Sequence, residues 1–334
     1  MLATREYRSL MEARSVLAGR LDRACVADPF ARLEWLASLQ AHCFADEPVR
    51  IFQAIERDAE CWLFARMRGG RRLSALANWY SFDWAPAFLG NPAPVTQARL
   101  LEAIARAMLN ANARLDFYPM TETDTLLRAF RRAGWLAVRR AMGGRYLLRP
   151  EGRDFATYWR GRPSALRNLV KRKGRGDPFS ISIDDRLSET LWADYVDVHA
   201  RSWKEPEPAL PFLKALAERE SAAGALRLGF ARLNGQAIAT QLWSVEGGTA
   251  FIHKLSHDRA HDQASPGTLL SHAMFAHAID VDHASLIDYG TGDNAYKADW
   301  MEQRATLYRI DCFNPRFASA WLPAARTAIS ALVG

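Results

Sequence analysis

Apolar residues along the chain follow two alternating periods, and the switches between them mark out its elements. Over 30–42 (FARLEWLASLQAH) they recur at helical spacing, and β-type runs follow at 49–56, 60–67 and 73–80. A Pro/Gly/Asn loop, AFLGNPAP at 87–94, ends this meander. The pattern then predicts a helix from Thr96 to Asn112, a short strand LDFYP, a helix over 122–133 and strands running to Leu148.

A similar order returns after Arg149-Pro150. A basic helix over 163–173 and the strand FSISI lead into helices near 188–203 and 209–223. Strands at 225–233 and 236–246 are joined by Asn234-Gly235, and Gly247-Gly248 turns into a third strand, TAFIHKLSH; both are two-residue hairpin signals. After Ser265-Pro266-Gly267 a helix runs to about Ile279. Strand SLIDY, a helix over 294–302, a strand over 304–312 and a C-terminal helix from about 316 complete the chain.

Two α/β halves, 1–150 and 151–334, are therefore expected, related by element order and not by close sequence repetition. The length of 334 residues suits two cores better than one. A composition 49% hydrophobic and 24% charged excludes a disordered or fibrous chain. The formal charge of +7 points to an anionic partner, whether a phosphate-bearing cofactor, a lipid surface or RNA.

Four widely spaced cysteines with no CxxC pair read as reduced thiols. The charged N-terminal stretch lacks the apolar core of an export signal, and no apolar run approaches the roughly 18 residues of a membrane span. A cytoplasmic protein, soluble or peripheral to the inner face of the membrane, is the expectation.

Candidate chemistry concentrates in 249–304. Gln263, Ser265, Pro266, Gly267 and Thr268 lie between a strand and a helix, where the free N–H groups of the helix start suit a diphosphate. Pro266 fits the first helical position and Ser265 the N-cap. LIDYGTGDN sets Asp288 and Tyr289 at a strand end, with two glycines just beyond, and Asp293, Tyr296, Lys297 and Trp300 follow within two helical turns.

Further upstream, seven basic residues between Arg160 and Arg175, Arg167 among them, alternate with Leu166, Leu169 and Val170 on an amphipathic helix that could meet an anion. Trp203-Lys204 precedes the rigid acidic loop EPEP, which could roof a pocket.

RPSALRNLVKRKGR, SWK at 202–204, HKLSHD, SPG with its helix and DYGTGDNAYKADW occur in an order that resembles the GNAT superfamily. The likeness, over roughly 155–315, is to the branch of CelD-type acyltransferases bordering the Fem-type peptidyltransferases. It implies two tandem GNAT-like domains, each a mixed, mainly antiparallel sheet flanked by helices, with the acyl-donor site in the second. It also implies metal-free transfer of an acyl group from acyl-CoA to an amine of an amino sugar, an amino acid or a lipid base such as a sphingoid base. The phosphate loop departs from the family pattern Arg/Gln-x-x-Gly-x-Gly/Ala, since Pro266 and Thr268 take the two glycine positions.

That reaction needs a base for the amine and a donor for the leaving thiolate. His253 or Asp288 is the candidate base, Tyr296 the thiolate's acid, and Lys297 a partner for an anionic group. Trp203, Lys204, Tyr289, Asp293 and Arg167 are candidates for substrate contact. His253, His257 and His261 have an i, i+4 spacing that suggests a metal on a helix, but they fall on a strand running into a loop, so no metal is expected.

The segment WYSFDW at 79–84 reads as core or as an apolar groove, and the apolar C-terminal FASAWLPAARTAISALVG docks on the core or lies on a membrane. The alternatives are a Fem-type transferase using aminoacyl-tRNA, with RNA the less favoured partner, and a non-catalytic GNAT-like module in polysaccharide or lipid assembly.

Overall fold

The computed structural model of the protein describes residues 2–333. The chain forms two compact units, one of residues 1–143 with 306–334 and one of residues 144–305. The expected boundary near 151 lies inside the second unit, and the last strand and helix, expected with the second half, return to the first.

In order, the chain runs β1 (Leu2–Tyr7), α1 (Leu10–Leu17), α2 (Leu33–Cys43), β2 (Val49–Glu56), β3 (Ala59–Met67), β4 (Arg72–Ala75), β5 (Ala87–Leu89), α3 (Pro94–Met108), β6 (Arg114–Met120) and α4 (Asp124–Arg132). β7 (Leu136–Leu148) carries it into the second unit. There follow α5 (Phe155–Arg160), α6 (Ser164–Lys173), β8 (Ser180–Asp184), α7 (Glu189–Ala200), α8 (Leu210–Ala222), β9 (Leu226–Leu233), β10 (Gln236–Glu246) and β11 (Thr249–His257). Next come α9 (Pro266–Ala276), β12 (Leu286–Thr291) and α10 (Ala295–Trp300). β13 (Gln303–Phe313) returns to the first unit, where α11 (Trp321–Val333) ends the fold.

In the first unit β1, β2, β3 and β4 pair antiparallel in that order, β4 runs parallel to β6, and β13 adds antiparallel to β6. The two-residue period of β3 builds two cores. Cys61, Leu63 and Ala65 face the layer of α3 and α4, whereas Trp62 and Phe64 face that of α1 and α2. β1 and α1 were not expected from the pattern. α1 nevertheless carries a local signal, because the Ser9 hydroxyl accepts the Glu12 N–H at 3.1 Å.

In the second unit β8, β9, β10 and β11 form an antiparallel meander, β12 joins β11 in parallel, and the end of β7 pairs antiparallel with β12. Asn234 and Gly235, and likewise Gly247 and Gly248, all have positive φ, as tight right-twisting hairpins require. α9 packs on one face of this sheet through Leu270, Met274 and Phe275, against Trp243, Ile252 and Ile287.

Candidate active site

β11 and β12 pair over only three residues, Thr249–Phe251 with Leu286–Asp288, and then part. Parallel strands that separate expose main-chain donors and acceptors on the facing edges. One of these, the Leu255 carbonyl, accepts a hydrogen bond from Lys204 Nζ. Between the strand ends opens a cleft of about 630 Å³, lined by α6, the start of α9, the end of β11, Tyr289 of β12, and α10.

The expected cofactor segment is split by this cleft. Ser265, Gly267 and Thr268 line it; Pro266 is buried behind, and Gln263 stands exposed outside the lining. Ser265 holds a left-handed conformation at φ +58° and makes no side-chain cap, contrary to its expected role; its carbonyl instead accepts the N–H groups of Thr268 and Leu269. Gly267, at the second helical position, precedes any intrahelical acceptor for its own N–H. A Cβ on Gly267 would stand 3.0 Å from His257 Nδ1, so glycine lets the helix begin against that ring.

Of the expected catalytic residues only Tyr296 lines the cleft. Burial raises its pKa, which keeps the phenol protonated. Its ring meets that of Tyr289 edge-on at 6.0 Å. Asp288 is fully buried and belongs to the opposite face of β12. Arg145 Nε donates to its Oδ2 at 2.8 Å, and the Gly290 N–H donates to its Oδ1 at 2.9 Å. It is therefore Arg145's partner and not a base in the cleft, because successive strand residues point to opposite faces and Tyr289 takes the cleft side.

His253 is excluded by a β-bulge. The register slips there, with Leu242 opposite Lys254 and Trp243 opposite Ile252. Ile252 and Leu255 both pack into the core under α9, whereas His253 Nε2 meets Ser244 Oγ at 2.8 Å and Lys254 Nζ pairs with Glu207 at 2.5 Å. Burial, reinforced by Arg219 and Lys254, pulls the His253 pKa down to about 3. Lys297 is likewise enclosed. Its Nζ donates to the carbonyls of Tyr289 at 3.0 Å and Thr291 at 2.7 Å, and burial brings its pKa down to about 8. It braces the strand end through these two carbonyls.

Among the expected substrate residues Trp203 and Tyr289 line the cleft. Lys204 turns inward to the Leu255 carbonyl, and burial together with the nearby Lys254 brings its pKa to about 8. Asp293 pairs outside the lining with Arg304, at 2.7 and 2.6 Å, and Arg167 Nε on α6 donates to the Arg162 carbonyl just before that helix.

Four charged or titratable lining residues were not assigned from the sequence: His257, Arg259, Asp262 and Asp299. Asp262 Oδ1 sits 2.8 Å from His257 Nε2, held there by the 3₁₀ turn Arg259–Ala264. A carboxylate at Nε2 fixes the neutral tautomer that leaves Nδ1 as acceptor. The available signal was the five-residue spacing of His257 and Asp262 across the turn that ends β11.

The family model of the acetyltransferase (GNAT) domain matches residues 160–298, which include every residue of the cleft lining except Asp299 and Trp300. No curated protein matches the chain by sequence. Among solved structures, the C-terminal domain of a putative lysylphosphatidylglycerol synthetase from Agrobacterium fabrum superposes with a TM-score of 0.57 at 17% identity, covering 96% of this chain and 97% of that one. FemX gives 0.57 at 9% identity, over 93% and 98%. A tandem GNAT protein of the clavulanic acid biosynthesis pathway gives 0.50 at 10%, also over 93% and 98%. At these identities the likeness is one of fold. Residues 160–298 thus match the acetyltransferase (GNAT) domain, and the chain shares its fold with tandem GNAT proteins.

Proposed function

We propose that the cleft binds the acyl thioester of CoA and passes its acyl group directly to an amine. The observation that carries this reading is the parting of β11 and β12 beside the start of α9. It sets an open main-chain edge, a helix N-terminus and a protonated phenol around one cavity. The Gly267 N–H and the first turn of α9 face the donor's phosphates, and the apolar wall of Leu166, Leu169 and Trp300 faces its chain.

In the transfer, the neutral amine nitrogen attacks the thioester carbonyl and the C–N bond forms. The oxyanion is met by main-chain N–H groups on the open strand edge. Collapse breaks the C–S bond, His257 Nδ1 takes the proton released from nitrogen, and the Tyr296 hydroxyl protonates the departing thiolate. Asp262 steadies the imidazolium, and Asp299 adds a negative charge to the cavity that favours an ammonium-bearing acceptor. Amino sugars, amino acids and lipid amines all satisfy that requirement.

The test is the melting temperature of the protein with CoA, acetyl-CoA and palmitoyl-CoA. Ligand at a hundred times its Kd stabilises the native state by about 2.7 kcal/mol, worth several degrees. The expected result is a rise with a thioester that is lost in Gly267→Val, whose side chain would press on His257. No rise with any thioester overturns the reading and directs the search to aminoacyl-tRNA, where binding would fall steeply with salt.

A further inference from the structure

An apolar groove of about 660 Å³ lies in the first unit, between the start of β7 and the C-terminal helix α11, with Trp135, Leu136, Val138 and Trp321 among its lining residues. α11 packs inward through Ala324, in a small cluster with Phe313 and Ala320. Its outward positions, Trp321, Leu322, Ala325, Ala328 and Ile329, fall three and four residues apart on one face. Trp321, Leu322 and Ile329 are each more than 60% exposed, and Leu136 across the groove is 50% exposed. The Trp321 indole N–H donates to the Pro315 carbonyl at 2.9 Å, which holds the ring at the surface.

The charges bordering this apolar face are of one sign. Arg131 lines the groove, Arg316 and Arg326 are exposed on the same terminal segment, and no Asp or Glu occurs in 312–334. We infer that α11 and its groove are a docking surface for an anionic lipid bilayer, with the apolar stripe entering the headgroup boundary and the arginines meeting lipid phosphates. A short helix with an interfacial Trp and flanking arginines has the chemistry of an interfacial element. No helix among the described residues is long and apolar enough to cross a membrane, so the contact is peripheral. A second copy of the chain is the poorer occupant, because a two-fold contact would bring the same arginines face to face with no counter-charge.

Cosedimentation of the full chain with phosphatidylglycerol/phosphatidylcholine vesicles, against phosphatidylcholine alone, tests the inference. Expected is binding to the anionic vesicles at least tenfold stronger than to the neutral ones. Trp321→Glu with Ile329→Glu should lower it at least tenfold, and Arg316→Gln and Arg326→Gln about fivefold each. All four positions are solvent-exposed, and circular dichroism confirms that each variant is folded. Three outcomes would overturn the inference: no sedimentation with anionic vesicles, sedimentation undiminished in both sets of variants, or a wild-type dimer without vesicle binding that the Glu pair converts to monomer in light scattering.

Discussion

The two faces of the second unit's sheet hold similar residue types in opposite states. On the face of α9, His257, Asp262, Tyr296 and Asp299 surround an open cavity. On the face of α7 and α8, His253 meets Ser244 and Lys254 pairs with Glu207, and both are half-buried. A histidine in this sheet therefore faces the cavity or a polar partner on the other side according to its face, and the β-bulge at 253 decides which. Without that extra residue His253 and His257 would point the same way; with it, four residues of one strand separate a cavity histidine from an enclosed one.

The strongest way to break this contrast is at Asp288. Removing one partner of a buried ion pair costs about 3–5 kcal/mol, because the other charge stays uncompensated. Asp288→Ala should lower stability by that amount in urea denaturation, with Arg145, 15% exposed, left beside an empty site. A loss below about 1 kcal/mol would mean that the carboxylate is not a structural anchor.

On the cavity side, His257→Ala should reduce turnover by about 10²- to 10⁴-fold, the usual contribution of a positioned base, while the melting temperature stays close to wild type. Asp262→Asn should give a smaller loss in the same direction, since it removes the group that holds the ring. Thiol release from the thioester found active in the binding screen measures both. Full turnover in His257→Ala would move the base elsewhere.

Lys297 sharpens the comparison through pH. Its folded pKa of about 8 lies below the ordinary lysine value of 10.5, so the burial penalty on its charge is fully present below about pH 8. Between about 8 and 10.5 the folded protein has released the proton and the unfolded chain still holds it, so stability rises with pH. The gain is at most about 3 kcal/mol and should be missing from Lys297→Met when urea midpoints are followed from pH 7 to 10. Lys204, with a folded pKa also near 8, adds a rise of the same sign that persists in the variant.

Much of the second unit was legible because its signals are local. The two hairpins follow from Asn234-Gly235 and Gly247-Gly248, and the start of α9 from Pro266. Tyr289, Tyr296, Trp203, Ser265, Gly267 and Thr268 reach the cleft as the pattern of a ligand site at a strand end suggests. Asp288, His253 and Lys297 lie outside the cleft lining for one shared reason. A sequence shows which residues stand at a strand end, but not which of two faces they take or whether a distant partner already holds them. Arg145 lies 143 residues from Asp288, and the bulge that turns His253 leaves no mark in composition. The return of β13 and α11 to the first unit is also a long-range pairing, of β13 with β6, invisible to element order.

The smallest expected effect is the most discriminating. His253→Gln keeps a polar side chain able to meet Ser244 and should change stability by about 1 kcal/mol or less, the worth of one hydrogen bond. Turnover should stay within twofold of wild type, because a ring whose pKa lies near 3 stays neutral at pH 7 and faces away from the cavity. Against the loss expected for His257→Ala, two histidines four residues apart on β11 would then differ by two orders of magnitude or more. A hundredfold loss in His253→Gln with binding of the thioester intact would reverse the assignment. The amine would then approach from the face of α7 and α8, Trp203 and Lys204 would border its path, and the bulge would serve to present the base instead of removing it.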